Sequence, residues 1–384
     1  MSNSEIIDTI IMKGYSLSLR AFSAIDRYLR YPALPFQWLV SDADIAVLAR
    51  LFENLRFPGA DFADAALDAD GQTFYFRCID AGIYEAPSYP LLLFSQDMKT
   101  KCFHDPAEVY PRLRELRDSA NGVRSADAAC LVRDLLSPNL ATDATRALMD
   151  AALVLARYSG KDTAPVIKPI VSAALELSAG IAPCVEEQRT LLISLLLSVR
   201  PDLGLELLNV GGFITKYWPE LAALNNVDHS KEFHPEGNGW RHTLETFRYR
   251  KTPDLRLSLA LLLHDTGKPF AVASGGHKFE GHAELGVRTV RAFLCRLDFD
   301  PGVINDVCFL VRHHMMPAAL KRLPLTRMKD ILESPLFPTL LELYRCDEAS
   351  SFKNLDGYYN SSAMYQAYLK QRRNPYRQLR SENR

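Results

Sequence analysis

The sequence predicts a mostly α protein: an α+β N-terminal region followed by two all-α regions. Three observations carry this reading. Aromatic and β-branched runs are confined to the first 115 residues, Ala/Leu-rich stretches fill the middle, and a histidine-rich helical segment occupies the last large region. The expected divisions are 1–115, 116–225 and 226–355, with a basic C-terminal tail over 356–384. A chain of 384 residues is too long for one ordinary core, so several domains are anticipated.

In the first region, FQWLV (36–40) and QTFYFRCI (72–79) have strand composition, and YPLLLF (89–94) suggests a third strand. Between the first two, ADIAVLARLFENL (43–55) repeats apolar residues at Ile45, Leu48, Leu51, Phe52 and Leu55, which is helical spacing. From 116 to 225, SADAACLVRDLL, ATRALMDAALVLARY, VIKPIVSAALELSAG and TLLISLLLSV favour helix. Pro138, Gly160, Gly180 and Pro201 punctuate them. This middle region reads as a helical connector without a catalytic pattern. Residues 370–384, KQRRNPYRQLRSENR, hold six bases against one acid and read as a frayed, solvated end.

Lys+Arg 45 against Asp+Glu 46 gives the whole chain no electrostatic case for nucleic acid or an acidic membrane. The seven cysteines (78, 102, 130, 184, 295, 308 and 346) never form C-x-x-C, which fits reduced thiols in a cytosol better than a disulfide framework or a structural zinc knuckle. No apolar run approaches the roughly 18 residues of a membrane-spanning helix. The start, MSNSEIIDTIIMKG, has acids where a signal peptide has bases. A cytoplasmic location is expected.

Eight of the nine histidines lie between His229 and His314. Hydrolysing a phosphate ester near neutral pH needs a strong nucleophile and cations on the non-bridging oxygens. A divalent metal supplies both if the protein offers neutral imidazoles and carboxylates around open coordination positions. His242 follows the turn EGNGW; His264 and Asp265 end the apolar run LRLSLALLL; His282 starts a helix with the stripe Val287, Val290, Leu294 and Leu297. His313 and His314 follow Val303, Val307 and Leu310, and Asp347 follows Phe337, Leu340, Leu341 and Tyr344. Each candidate ligand is thus expected near an end of an apolar helix. His242, His264, Asp265 and Asp347 form one candidate ligand set. His282 with His313 or His314 forms a second, bridged by Asp265, and of the last two His313 is favoured. Mixed imidazole and carboxylate donors suit one or two ions of manganese, iron, cobalt, nickel or zinc. His229 and His277 read as surface residues, and His234 and Glu236 as pocket-shaping neighbours that do not ligate.

The order H…HD…D, with the form HDTGKP at its centre, resembles the HD phosphohydrolase superfamily. The added H…HH pattern resembles its binuclear members. Carried over by position, Asp265 becomes a catalytic ligand and Lys268, one turn later, the phosphate-facing cation. The stretch HPEGNGWRHTLETF resembles the HPEG-x-x-x-HT segment of HD domains in bacterial tRNA nucleotidyltransferases and related poly(A) polymerases, in which a nucleotidyltransferase head and a helical neck come first. That resemblance implies a nucleotidyltransferase-like head over 1–115, and here the sequence departs from it. Asp42 and Asp44 are the candidate remnant of the D-x-D metal pair; a helix N-cap is the structural alternative for such a pair. KGYSLSLRAFSAIDRYL has one glycine where the phosphate loop needs two, LLLFSQDMKTKCFHDP replaces the Arg-Arg-Asp segment, and the neck lacks Glu-Asp-x-x-Arg. The head therefore reads as degenerate.

The function expected from these residues is a divalent-metal phosphohydrolase, phosphodiesterase or phosphatase, acting on a nucleotide or RNA-end phosphoester, with tRNA or other RNA as a partner and no membrane. Two alternatives stand beside it: a working tRNA nucleotidyltransferase or poly(A) polymerase-type enzyme, and a non-catalytic, metal-containing RNA-binding or regulatory protein. The bases Arg241, Arg248, Arg250 and Lys251 are compatible with phosphate contacts and equally with solvated helix faces.

Overall fold

The structure, a computed structural model, describes residues 2–59, 62–79, 90–118, 143–160, 182–228, 237–271, 279–351 and 354–372. The chain forms two compact units, Met1–Phe213 and Ile214–Arg384. The helices anticipated as a separate neck up to residue 225 thus share a unit with the N-terminal sheet up to Phe213. Buried polar ties explain this. Asp26 accepts from Arg157 Nε at 2.6 Å and Tyr158 Oη at 2.8 Å, and Asp150 accepts from Leu91 N at 2.7 Å.

In the first unit, Ser2 and Glu5 form a capping box on α1 (Asn3–Met12). Then come β1 (Leu17–Arg20), α2 (Ala21–Leu29), β2 (Phe36–Ser41), α3 (Ile45–Leu51), β3 (Ala65–Ala69), β4 (Gln72–Cys78), β5 (Ser95–Asp97), β6 (Phe103–His104) and α4 (Val109–Asp118). The six strands lie in the order β3-β4-β2-β1-β5-β6. Only β2 and β4 run parallel, with Phe36 opposite Thr73 and Ser41 opposite Cys78. The two aromatic runs therefore form the expected strands at the centre of the sheet. YPLLLF does not: residues 90–94 are irregular, Leu91 N is spent on Asp150, and the strand begins only at Ser95. The expected helix over 43–55 shortens to α3 because Phe52 turns extended and packs against Phe76, with ring centroids 6.5 Å apart.

The unit continues with α5 (Ala144–Tyr158), α6 (Val185–Leu196) and α7 (Pro201–Val210). Every residue of α5 is buried. Its Arg146 reaches Glu187 on α6 at 2.7 Å. SADAACLVRDLL and VIKPIVSAALELSAG lie outside the described residues.

Among the described residues the second unit is helical: α8 (Gly239–Thr246), α9 (Leu255–Leu263), α10 (His282–Arg296), α11 (Pro301–His313), α12 (Phe337–Ser350) and α13 (Asp356–Arg372), with shorter turns between. Trp218, Trp240, Leu259, Phe293, Leu310 and Phe337 are fully buried and form its core. The expected tail from 356 is instead helical as far as Arg372. Tyr358 N donates to Glu348 at 2.8 Å, Ser361 Oγ donates to the Pro317 carbonyl at 2.8 Å, and the Tyr365 ring packs tilted against Phe337 with centroids 4.5 Å apart. Residues 373–384 lie outside the described residues. Among the described residues, no helix is long and apolar enough to cross a membrane.

Candidate metal centre

Local sequence chemistry sets each ligand-bearing element. Asn238 caps α8 by accepting from Arg241 N at 2.9 Å, and His242 sits in the middle of that short helix. Asp254 caps α9 by accepting from Leu257 N at 2.8 Å. The apolar run Leu257–Leu263 is buried on all sides, and the chain turns as it ends. There Thr266 Oγ1 donates to the Leu263 carbonyl at 2.7 Å and Lys268 N to the Asp265 carbonyl at 2.9 Å, a polar turn that presents His264 and Asp265 together. His282 opens α10 after Gly281, whose φ of +75° suits glycine. Asp300 and Pro301 start α11, and the buried positions Ile304, Val307, Leu310 and Val311 carry the inward stripe on to His314. Asp347 lies in the last turn of α12.

These elements converge. Ligand atoms of His242, His264 and Asp265 lie within 4.8 Å of one another, as do those of Asp265, His282 and His314. Asp265 belongs to both groups. Its Oδ2 is 3.4 Å from His264 Nε2 and 3.9 Å from His242 Nε2, and its Oδ1 is 3.7 Å from His282 Nε2. Asp347 joins the first group, with Oδ1 3.0 Å from His242 Nε2 and 3.9 Å from His264 Nε2. His242, His264 and Asp265 are each only 1% exposed.

Hydrogen bonding fixes the imidazoles. His264, His282 and His314 each place Nδ1 at 2.7–2.9 Å from the carbonyl three residues back, of Leu261, Phe279 and Val311. A carbonyl only accepts, so each Nδ1 carries the proton and each Nε2 turns a lone pair inward. His264 Nε2 is buried with no hydrogen-bond partner. His282 Nε2 and His314 Nε2 face each other at 3.1 Å. Burial lowers the pKa of both, and holds His314 at about 4, so both are neutral near pH 7 and the two lone pairs oppose. An orphaned acceptor and two opposed acceptors around an ionised carboxylate are a donor set that fits a divalent cation.

The carboxylates stay charged. Burial works against ionisation of Asp265, but the charged and polar groups around it, with Lys268 Nζ nearest, outweigh burial and hold the carboxyl well below its ordinary value. Asp347 is likewise lowered, burial being overcome by the hydrogen bond from His242. Lys268 Nζ sits 2.6 Å from Asp265 Oδ2 and 5.8 Å from the centre of the Phe279 ring. The expected phosphate-facing cation thus pairs here with the dyad itself.

Of the two adjacent histidines, His314 points into the site and His313 does not. His313 packs on Phe309 at 4.7 Å, one helical turn back on the outer side of α11. Asp42 and Asp44 form no metal-ligand group among the described residues. Asp44 caps α3 by accepting from Val47 N at 2.6 Å, and Asp42 accepts from Ser16 N at 2.7 Å. His242 lies mid-helix rather than at a helix end, because α8 is only 8 residues long. Arg248 pairs with Glu245 at 3.3 Å, and Arg250 lies over the Phe247 ring at 5.7 Å. His229, His234, Glu236 and His277 lie outside the described residues.

Sequence reasoning missed Ser350. Its Oγ is 3.4 Å from His242 Nδ1 and donates to the Asp347 carbonyl at 2.7 Å. A serine one turn after a ligand on the same helix face was the available signal.

Residues 240–343 match the family described as HD domain. The chain is 35% identical over 178 residues to the CC-adding tRNA nucleotidyltransferase of Thermus thermophilus, covering 44% of this chain and 40% of that protein. It is 35% identical over 123 residues to the Multifunctional CCA protein of Halorhodospira halophila, covering 31% and 29%. The chain therefore matches less than half the length of these curated relatives. A crystal structure of the Bacillus stearothermophilus CCA-adding enzyme in complex with CTP aligns with 94% of this chain and 81% of its own, at a TM-score of 0.49 and 14% identity. Residues 240–343 are thus similar to the HD domain family, and the chain is similar to tRNA nucleotidyltransferases.

Proposed function

We propose that the chain is a divalent-metal-dependent phosphohydrolase acting on a nucleotide or RNA-end phosphoester, with its chemistry in the second unit. The observation that carries this is the pair of ligand groups sharing Asp265, lined by imidazoles whose Nε2 lone pairs point inward. His242, His264, Asp265 and Asp347 would hold one ion, and Asp265, His282 and His314 a second. A bound divalent ion supplies Lewis acidity and lowers the pKa of its water from 15.7 towards about 7.

The chain's own residues do the rest. The Leu261, Phe279 and Val311 carbonyls keep three imidazoles in the tautomer that leaves Nε2 available to a cation. Burial keeps His314 and His282 neutral, and the ionised Asp265 and Asp347 supply the negative charge. Lys268 Nζ is held beside the dyad by Asp265, and in this reading it would neutralise an incoming phosphate. The test is metal-loaded protein against a panel of phosphomonoesters and phosphodiesters. His264→Ala and Asp265→Ala abolish turnover if the reading holds, and unchanged rates in both overturn it.

A second reading is favoured by the similarity to the Thermus thermophilus enzyme: a nucleotidyltransferase acting on tRNA. Against it stand the structural duties of Asp42 and Asp44. Incorporation of CTP or ATP into tRNA that disappears in Asp42→Ala would establish it. We read residues 1–115, within the first unit, as a degenerate nucleotidyltransferase-like head.

A further inference from the structure

The turn that carries His264 and Asp265 meets the start of α10 backbone to backbone. A Cβ at Gly267 would lie 1.9 Å from the His282 carbonyl oxygen, 2.5 Å from Gly286 N and 2.9 Å from Gly286 Cα. The residue facing it is also glycine. A Cβ at Gly286 would lie 3.3 Å from Gly267 N and 3.4 Å from Val311 Cγ1 on α11. Gly267 has an ordinary φ of −84°, so the requirement at this position is space rather than conformation. Backbone atoms cannot escape such a contact by changing rotamer, so a side chain here must push one element off another.

That contact joins the turn bearing Asp265 to the helix bearing His282, two members of the second ligand group. Asp265 is two residues before Gly267, and His282 is the residue whose carbonyl Gly267 touches. His282 in turn faces His314 at 3.1 Å. Regaining ordinary contact at 3.4 Å from 1.9 Å would need the His282 carbonyl to retreat by about 1.5 Å, where metal sites tolerate about 0.2 Å in ligand distance. His242 and Asp347, on α8 and α12, are not among the atoms nearest either glycine.

We infer that the Gly267–Gly286 contact is the spacer that brings His282 and His314 within reach of Asp265. It thereby creates the second ligand group, while the first forms without it. Gly267 and Gly286 are positioning residues. The inference rests on the metal-centre reading above.

The test uses the full chain, with manganese(II) as probe, read by equilibrium dialysis, calorimetric titration, circular dichroism and thermal melting. Wild type takes up two ions, and Gly267→Ala retains one with near wild-type affinity, as His282→Ala does. Gly286→Ala, which asks its neighbours to yield only a few tenths of an ångström, keeps two ions with the second bound about 10–100-fold more weakly. A folded Gly267→Ala protein that binds two ions normally, or neither, overturns the spacer. Should Gly267→Ala fail to fold, an unchanged second affinity in Gly286→Ala overturns it. One ion in wild type overturns the spacer alone, whereas none overturns the metal centre with it.

Discussion

Replacing Asp265 with asparagine keeps the shape of the side chain and removes its charge. In the wild type that charge is met by Lys268 at 2.6 Å, with Asp265 only 2% and Lys268 14% exposed at the side chain. Breaking a buried ion pair by neutralising one partner costs about 3–5 kcal/mol. Lys268 keeps a little water, which places the metal-free variant at the low end, about 3 kcal/mol less stable. For a unit of this size that lowers Tm by about 6–12 °C. The same substitution removes the one residue common to both ligand groups, so metal uptake and hydrolysis fall together. The assay is calorimetric melting of chelator-treated protein, followed by metal titration. A melt within about 2 °C of wild type together with undiminished metal uptake would refute the reasoning.

Three further outcomes follow from the geometry. Asp150 is fully buried and its pKa is pushed up by burial to about 8, against about 3.9 for a free carboxyl. The folded state holds that proton while the unfolded state releases it, so this contribution is full below pH ~4, is lost as pH rises towards 8, and is flat above. Asp150→Asn should flatten the stability–pH curve over that window, gaining on wild type by about 1.4 kcal/mol per pH unit, and parallel urea-melt curves would contradict it. His314→Ala should weaken the second ion by more than the 10–100-fold that loss of an outer partner costs, while His313→Ala leaves it unchanged; equal effects in a manganese titration would refute the assignment. Asp44→Ala should cost about 1 kcal/mol as a lost helix cap and leave hydrolysis untouched, which melting and a phosphoester assay would check.

Much of the second unit was legible because its ligands come with helical context. An apolar run ending in His264–Asp265 and a stripe running towards His313 and His314 single those residues out in the sequence. The choice within the last pair was not legible, and the sequence reading favoured His313 where the structure groups His314. One residue is 100° on a helix, and it is the burial of Val311, continuing the stripe Val307, Leu310, that selects His314. Lys268 had a legible position but not a legible partner, because its pairing with Asp265 depends on how the turn closes. The Gly267–Gly286 approach joins residues from different elements, so no local pattern announces it. In the first unit the central strands were readable from composition. The irregular run at 90–94 was not, since its apolar content resembles a strand while its Leu91 amide serves a distant aspartate. The joining of α5 to the sheet rests on buried pairs such as Asp26–Arg157, 131 residues apart in sequence.

The central claim is that the grouped histidines and aspartates hold catalytic metal. Its most direct measurement is elemental analysis of the purified chain coupled to phosphoester turnover, with His264→Ala and Asp265→Ala alongside. The account predicts two divalent ions per wild-type chain, hydrolysis that disappears on chelation and returns on adding metal, and loss of both properties in the variants. A wild-type chain without bound metal, whose turnover neither chelator nor either substitution changes, would contradict it.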